Sequence, residues 1–153
     1  MDTHQTRSIG PYTLSDDPAR LDIKAMHAYL KRSYWAAEVP LEIVERAARG
    51  SLCIGAYDST GAQVGLARFI SDYATFAYVC DVYVLEDHRG KGLSKAMMAM
   101  ATEHPKLQGL RRWTLVTFDA HGLYKHFGFK PIVNQDRFME RIVPDIYKRK
   151  RSE

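Results

Sequence analysis

The stretch that decides the fold reads Cys80-Asp81-Val82-Tyr83-Val84-Leu85-Glu86-Asp87-His88-Arg89-Gly90-Lys91-Gly92-Leu93-Ser94-Lys95. Its opening alternates and is rich in Val and Tyr, which predicts a buried strand. Its middle is polar. Beyond Arg89, two glycines stand before an amphipathic helix with Leu93, Met97 and Met100 at helical spacing. Strand, glycine-bearing turn and helix N-terminus together suit an anion. The first helical turn leaves N–H groups without partners, and the aligned peptide dipoles favour negative charge there. Gly90 and Gly92 carry no Cβ, so the backbone can approach a ligand closely. Arg89 and Lys91 add positive charge.

The common phosphate loops do not fit this stretch. The nucleoside-triphosphate signature needs Gly, four residues and then Gly-Lys-Ser/Thr, and the dinucleotide fingerprint needs a third Gly where Lys95 stands. What fits is Arg/Gln-x-x-Gly-x-Gly/Ala after a Val-rich strand. Arg89-Gly90-Lys91-Gly92-Leu93-Ser94 resembles motif A of the GNAT superfamily, the acyl-CoA-dependent N-acetyltransferases. Ser94 departs from the usual Gly or Ala but is small enough to keep the turn. Downstream, Gly122-Leu123-Tyr124-Lys125-His126-Phe127-Gly128-Phe129 resembles motif B of the same superfamily, the Leu-Tyr-x-x-x-Gly-Phe signature. One helix and one strand fit between the two motifs, as that resemblance implies. It spans Thr75 to Ile132, and earlier residues follow only by order of elements. Thr117-Phe118-Asp119 lacks the Asn often found before the second motif.

The 153 residues suit one domain, 1–153, with residues 1–10 and 145–153 expected as frayed tails. With 46% hydrophobic and 26% charged residues the composition is globular, and no apolar run reaches membrane-spanning length. Residues 1–10 lack an apolar signal core. Cys53 and Cys80 therefore read as reduced core thiols of a cytoplasmic protein. The net charge of +4 suits an anionic ligand but does not call for nucleic acid. Lys148-Arg149-Lys150-Arg151 reads as a solvated end. A nucleic-acid contact there is the minority reading, since no stacking aromatics accompany it.

In chain order, Tyr12-Thr13-Leu14 reads as a strand. Ser15-Asp16-Asp17-Pro18 starts a helix carrying Ile23, Met26 and Leu30. A second helix follows Pro40 and ends at Gly50. Leu52 to Tyr57 and Gln63 to Ser71 form a hairpin around Asp58–Gly61, and Thr75 to Val84 is the next strand. The helix from Leu93 stops before Pro105. Trp113 to Phe118 reads as a strand, Ala120 to Phe127 as a helix, and Phe129 to Val133 and Phe138 to Ile142 as closing strands. Interleaved strands and helices with hairpins argue an α+β fold with a mixed sheet flanked by helices. The resemblance sharpens this to a mostly antiparallel sheet of six to seven strands and about four helices. It also implies a V-shaped splay between the strand ending near Val84 and the one near Trp113.

The resemblance implies acetyl-CoA as cosubstrate, no metal, and direct transfer to a primary amine of a small molecule or peptide. Arg89, Gly90, Lys91, Gly92, Leu93, Ser94 and Lys95 would hold the pyrophosphate. Val82, Tyr83 and Val84 would lie along the thioester, with a backbone N–H facing its oxygen. Tyr124 takes the general-acid position, and Tyr34, Trp35 and Phe76 are candidates for the acceptor pocket. An amine attacks only when neutral, so a base or a water chain is needed. Asp81 is favoured as the base because a carboxylate in an apolar strand needs a reason. Glu86, His121 and water are the alternatives. The two motifs in order weigh against a plain turn and cap at Arg89, Gly90 and Gly92 and against a half-buried aromatic at Tyr124, while a structural carboxylate at Asp81 and core aromatics at Tyr34, Trp35 and Phe76 stand as open alternatives. A homodimer is compatible with the superfamily. An acyl-CoA sensor without turnover is the competing function.

Overall fold

The computed structural model describes residues 3–148. Six strands form one sheet in sequence order: β1 (Thr6–Ile9), β2 (Tyr12–Ser15), β3 (Leu52–Tyr57), β4 (Gln63–Ser71), β5 (Phe76–Val84) and β6 (Arg112–Leu115). All neighbours pair antiparallel except β5 and β6, which are parallel. The helices are α1 (Ile23–Leu30), α2 (Leu41–Arg49), α3 (Leu93–Thr102) and α4 (His121–Lys125). The parallel pair follows from α3, which supplies the crossover that parallel neighbours require.

The expected α+β architecture is present, with six strands and four helices. Each face of the sheet buries one apolar cluster. Met97, Met98 and Met100 of α3 pack with Ile54, Phe69 and Val79 on one side. Met26 and Leu30 of α1 pack with Val44, Leu66 and Tyr83 on the other. Each such side chain contributes roughly 1.5–3 kcal/mol on leaving water. Gly55 in β3 is fixed by packing: a Cβ there would lie 2.7 Å from Cζ of Tyr57, inside van der Waals contact.

Four local expectations need correction. Residues 6–9, expected within a frayed tail, form β1, because Thr6-Arg7-Ser8-Ile9 finds ladder partners on β2. The first helix is split. Asp17 caps a short 3-10 turn, Pro18–Arg20, by accepting from the Ala19 N–H at 2.9 Å, and Asp22 caps α1 by accepting from Ala25 at 3.0 Å. Two separate caps leave Leu21 extended between them. β6 ends at Leu115 rather than Phe118, because its partner bends away. Finally, residues 129–133 and 138–142 form no strand among the described residues. Pro131 has no N–H to donate, and Phe138-Met139-Glu140 stays on the surface with Met139 97% exposed. Residues 149–153, including most of the basic end, lie outside the described residues.

Burial pushes several acidic protons upward. The Cys53 and Cys80 thiols rise from 9.0 to about 12, with desolvation the largest cause in each. The Tyr57 phenol rises from 10.0 to about 12 for the same reason. In the unfolded chain these groups would ionise first. Their contribution to stability is therefore complete below pH 9 and is lost as pH rises toward 12. Thermal denaturation followed by circular dichroism should show Tm constant from pH 7 to 9 and falling progressively above it. A flat profile to pH 11 would contradict this assignment.

Candidate active site

The site is built where β5 and β6 separate. Their ladder runs from Phe76↔Arg112 to Val79↔Leu115 and stops. Beyond it, Cys80 to Val84 continue against β4 alone. The cause lies in β5 itself. Between Cys80 and Tyr83 it carries one residue more than β4 does across Leu66 to Arg68, a bulge, and Asp81 sits at φ +49°. A bulge bends its strand and disrupts the local ladder. On the other arm, Val116 and Phe118 leave the sheet and are 82% and 81% exposed. A cleft therefore opens between Val82–Val84 and residues 116–118.

At the end of β5 the chain turns through a short 3-10 segment, Glu86–His88, into Arg89-Gly90-Lys91-Gly92 and α3. Gly90 and Gly92 adopt φ +76° and +79°, the left-handed region where a side chain is strained. Gly92 is the N-cap of α3, and no side chain caps the helix. Within the described residues, the N–H groups of Lys91, Gly92, Leu93 and Ser94 meet no acceptor from the chain. Lys91 and Lys95 flank this opening and are exposed. The helix mouth is thus open to an anion. Arg89 is used differently. Its Nε donates to the Val84 carbonyl at 2.9 Å and its Nη2 to Tyr29 Oη at 3.1 Å, so it fastens the loop to β5. Tyr29 in turn stacks on Tyr83, with ring centroids 4.0 Å apart.

Tyr124 lies on α4 and is 8% exposed. Its ring meets Phe129 edge-on at 5.9 Å and borders a groove of about 1290 Å³ beside β6. Its oxygen makes no hydrogen bond with the described residues. Burial, then the nearby Tyr34 phenol, pushes it up to about 12.

Each Asp81 oxygen already accepts one hydrogen bond. Arg68 Nε donates to one carboxylate oxygen and Trp35 Nε1 to the other, each at 2.8 Å. Side-chain exposure in this ion pair is 15% for Arg68 and 11% for Asp81. Two of the expected acceptor residues are brought to this place. Trp35 lies over Asp81, and Tyr34 packs against it at 5.1 Å and against Phe118 across the cleft at 6.2 Å. Phe76 is not brought here. It begins β5, five residues from Asp81, about 16 Å along the strand. Glu86 is exposed and paired with Arg32, whose guanidinium pulls its carboxyl down to about 2. His121 borders the same groove as Tyr124. Arg68, Tyr29 and Phe118 were not singled out from sequence. Arg68 carries the signal that singled out Asp81, a charge within an apolar strand.

Comparison with known proteins bears on this geometry. Residues 15–129 match the model of the acetyltransferase (GNAT) family. The chain belongs to the GNAT family. A GNAT protein of Xanthomonas campestris pv. campestris, provisionally described as an acetyltransferase, has a crystal structure with TM-score 0.87 and 50% identity. That match covers 90% of this chain and 97% of the other. A protein of Gibberella zeae, provisionally named an acetyltransferase, is 37% identical over 79% of this chain and 80% of its own length. A more distant acetyltransferase of Clostridium acetobutylicum, solved with acetyl-CoA, shares the fold at TM-score 0.60 and 18% identity, over 86% of this chain and 94% of its own. GNAT membership makes acyl transfer the general activity. Among the described residues, no cluster of three metal-ligating side chains occurs, and no helix is long and apolar enough to cross a membrane.

Proposed function

We propose that the protein transfers an acetyl group from acetyl-CoA to a primary amine of a small molecule or peptide, in a ternary complex, in the cytoplasm. The observation that carries this reading is the uncapped mouth of α3 lying just beyond the end of β5, the strand that has parted from β6. Acetyl-CoA supplies the acyl carbon and the sulfur leaving group. The amides of Lys91 to Ser94, with Lys91 and Lys95, hold its pyrophosphate, and the cleft beside Val82, Tyr83 and Val84 takes the extended arm. An N–H on the side of this segment that no longer pairs with β6 faces the thioester oxygen and stabilises charge developing there.

In the reaction an N–C bond forms and the C–S bond breaks. The amine nitrogen gives up one proton and the sulfur gains one. Tyr124 Oη keeps its proton well above neutral pH and suits the role of donor to sulfur. Asp81, with both oxygens already accepting, is better suited to orienting Trp35 and the incoming amine than to removing a proton, and water is then the simplest base. Free Cys53 and Cys80 fit a reducing compartment.

Calorimetric titration with CoA tests the reading. Binding to the wild type should weaken at least tenfold in Gly92→Val, because a β-branched residue at φ +79° is strained by about 1–2 kcal/mol and crowds the pyrophosphate. No heat at millimolar CoA would remove the basis of the proposal. CoA binding without thiol release across an amine panel would favour an acyl-CoA sensor instead.

A further inference from the structure

Between α1, α2 and the sheet lies a second cavity, of about 280 Å³. Met26, Leu30, Val39, Ile43 and Val44 wall it. Arg68 and Asp81 supply its formal charges, which cancel in their ion pair. Trp35 also lines it and is held over Asp81 by its indole N–H. Tyr34 and Phe118 extend this aromatic surface to the cleft. Tyr78, Cys80 and Tyr147 also line it, so its body is largely apolar with neutral polar groups, and its one formally charged end, Arg68 with Asp81, lies where β5 has parted from β6.

These features restrict what can bind. The volume holds roughly nine water-sized groups. A carboxylate has about four lone-pair sites, and Trp35 and Arg68 occupy two, so Asp81 can still accept from an amine. A second charge on the ligand, of either sign, would lose its hydration and meet no lining residue of opposite charge outside the Arg68–Asp81 pair. We propose that the acceptor is a primary amine carrying a single uncharged apolar body, aromatic or aliphatic, which fills the cavity beneath Trp35 with its nitrogen at Asp81. This rests on the acyl-transfer reading above, and its products are the N-acetyl amine and free CoA thiol.

2-Phenylethylamine is the probe, with putrescine as a dication and β-alanine as a zwitterion for comparison. Two readouts separate the two proposals. Quenching of Trp35 emission by the amine alone, measured against Trp35→Phe, reads the cavity without CoA. Thiol release from acetyl-CoA reads transfer. We expect quenching by 2-phenylethylamine and a kcat/KM at least about 30-fold above those of the two comparison amines, the discrimination expected when an unpaired charge must be buried. Ala47→Phe, which fills the cavity from the partly exposed face of α2, should lower kcat/KM for 2-phenylethylamine more than about tenfold and leave CoA affinity within twofold. Ile43→Ala should shift preference toward 4-phenylbutylamine. Equal or better use of putrescine or β-alanine, or an Ala47→Phe enzyme with unchanged kinetics, would overturn the proposal. Quenching without any CoA binding would keep the cavity assignment and sink the acyl-transfer reading.

Discussion

Tyr124→Phe is expected to lower kcat for amine acetylation by about 10²- to 10³-fold, the range for loss of a positioned proton donor. CoA affinity and Tm should stay near wild type. The contrast follows from the surroundings of the phenol. Its oxygen makes no hydrogen bond with the described residues, so removing it leaves no partner stranded. The ring, which packs against Phe129, remains. A tyrosine that only packs its ring would keep both stability and turnover on this substitution. Steady-state kinetics beside thermal denaturation decides between them, and a kcat within threefold of wild type would remove Tyr124 from the chemistry.

Arg68→Met should be the most destabilising of the conservative changes, by about 3 kcal/mol. It leaves the Asp81 carboxylate nearly buried with one of its two partners gone, and breaking such pairs costs about 3–5 kcal/mol. The lower end applies because Trp35 still donates and a little solvent reaches the site. For a chain of this size that is a fall in Tm of about 6–12 °C. Asp81→Leu should cost a similar amount. The double substitution should cost much less than the sum, since two apolar side chains can replace a buried ion pair without penalty. Additive losses in this cycle would show that the two residues do not act as a pair.

The sequence makes some of this legible and hides the rest for physical reasons. β3 and β4 are readable residue by residue because both are apolar runs punctuated by Asp58–Gly61, a turn set by local chemistry. The glycine-bearing turn before α3 is readable because its glycines serve a local backbone need, φ above +70° at both. The parting of β5 and β6 is not, since Val116 and Phe118 look like strand residues and only the bulge at Asp81 denies them a partner. Arg68 is not legible either, because its meaning depends on a register across two strands. Residues 138–142 mislead in the other direction, as Phe138, Met139 and Ile142 suit a strand but supply no neighbour to bond.

An N-terminus of α3 left without a cap has a bearing on the protein's persistence. Those amides converge only in the native chain, so any anion settling there raises the free energy needed to open it. At a concentration one hundred times its dissociation constant, a ligand adds about 2.7 kcal/mol. Under the proposed function, resistance to proteolysis should track the supply of acyl donor, making abundance of the protein responsive to that supply.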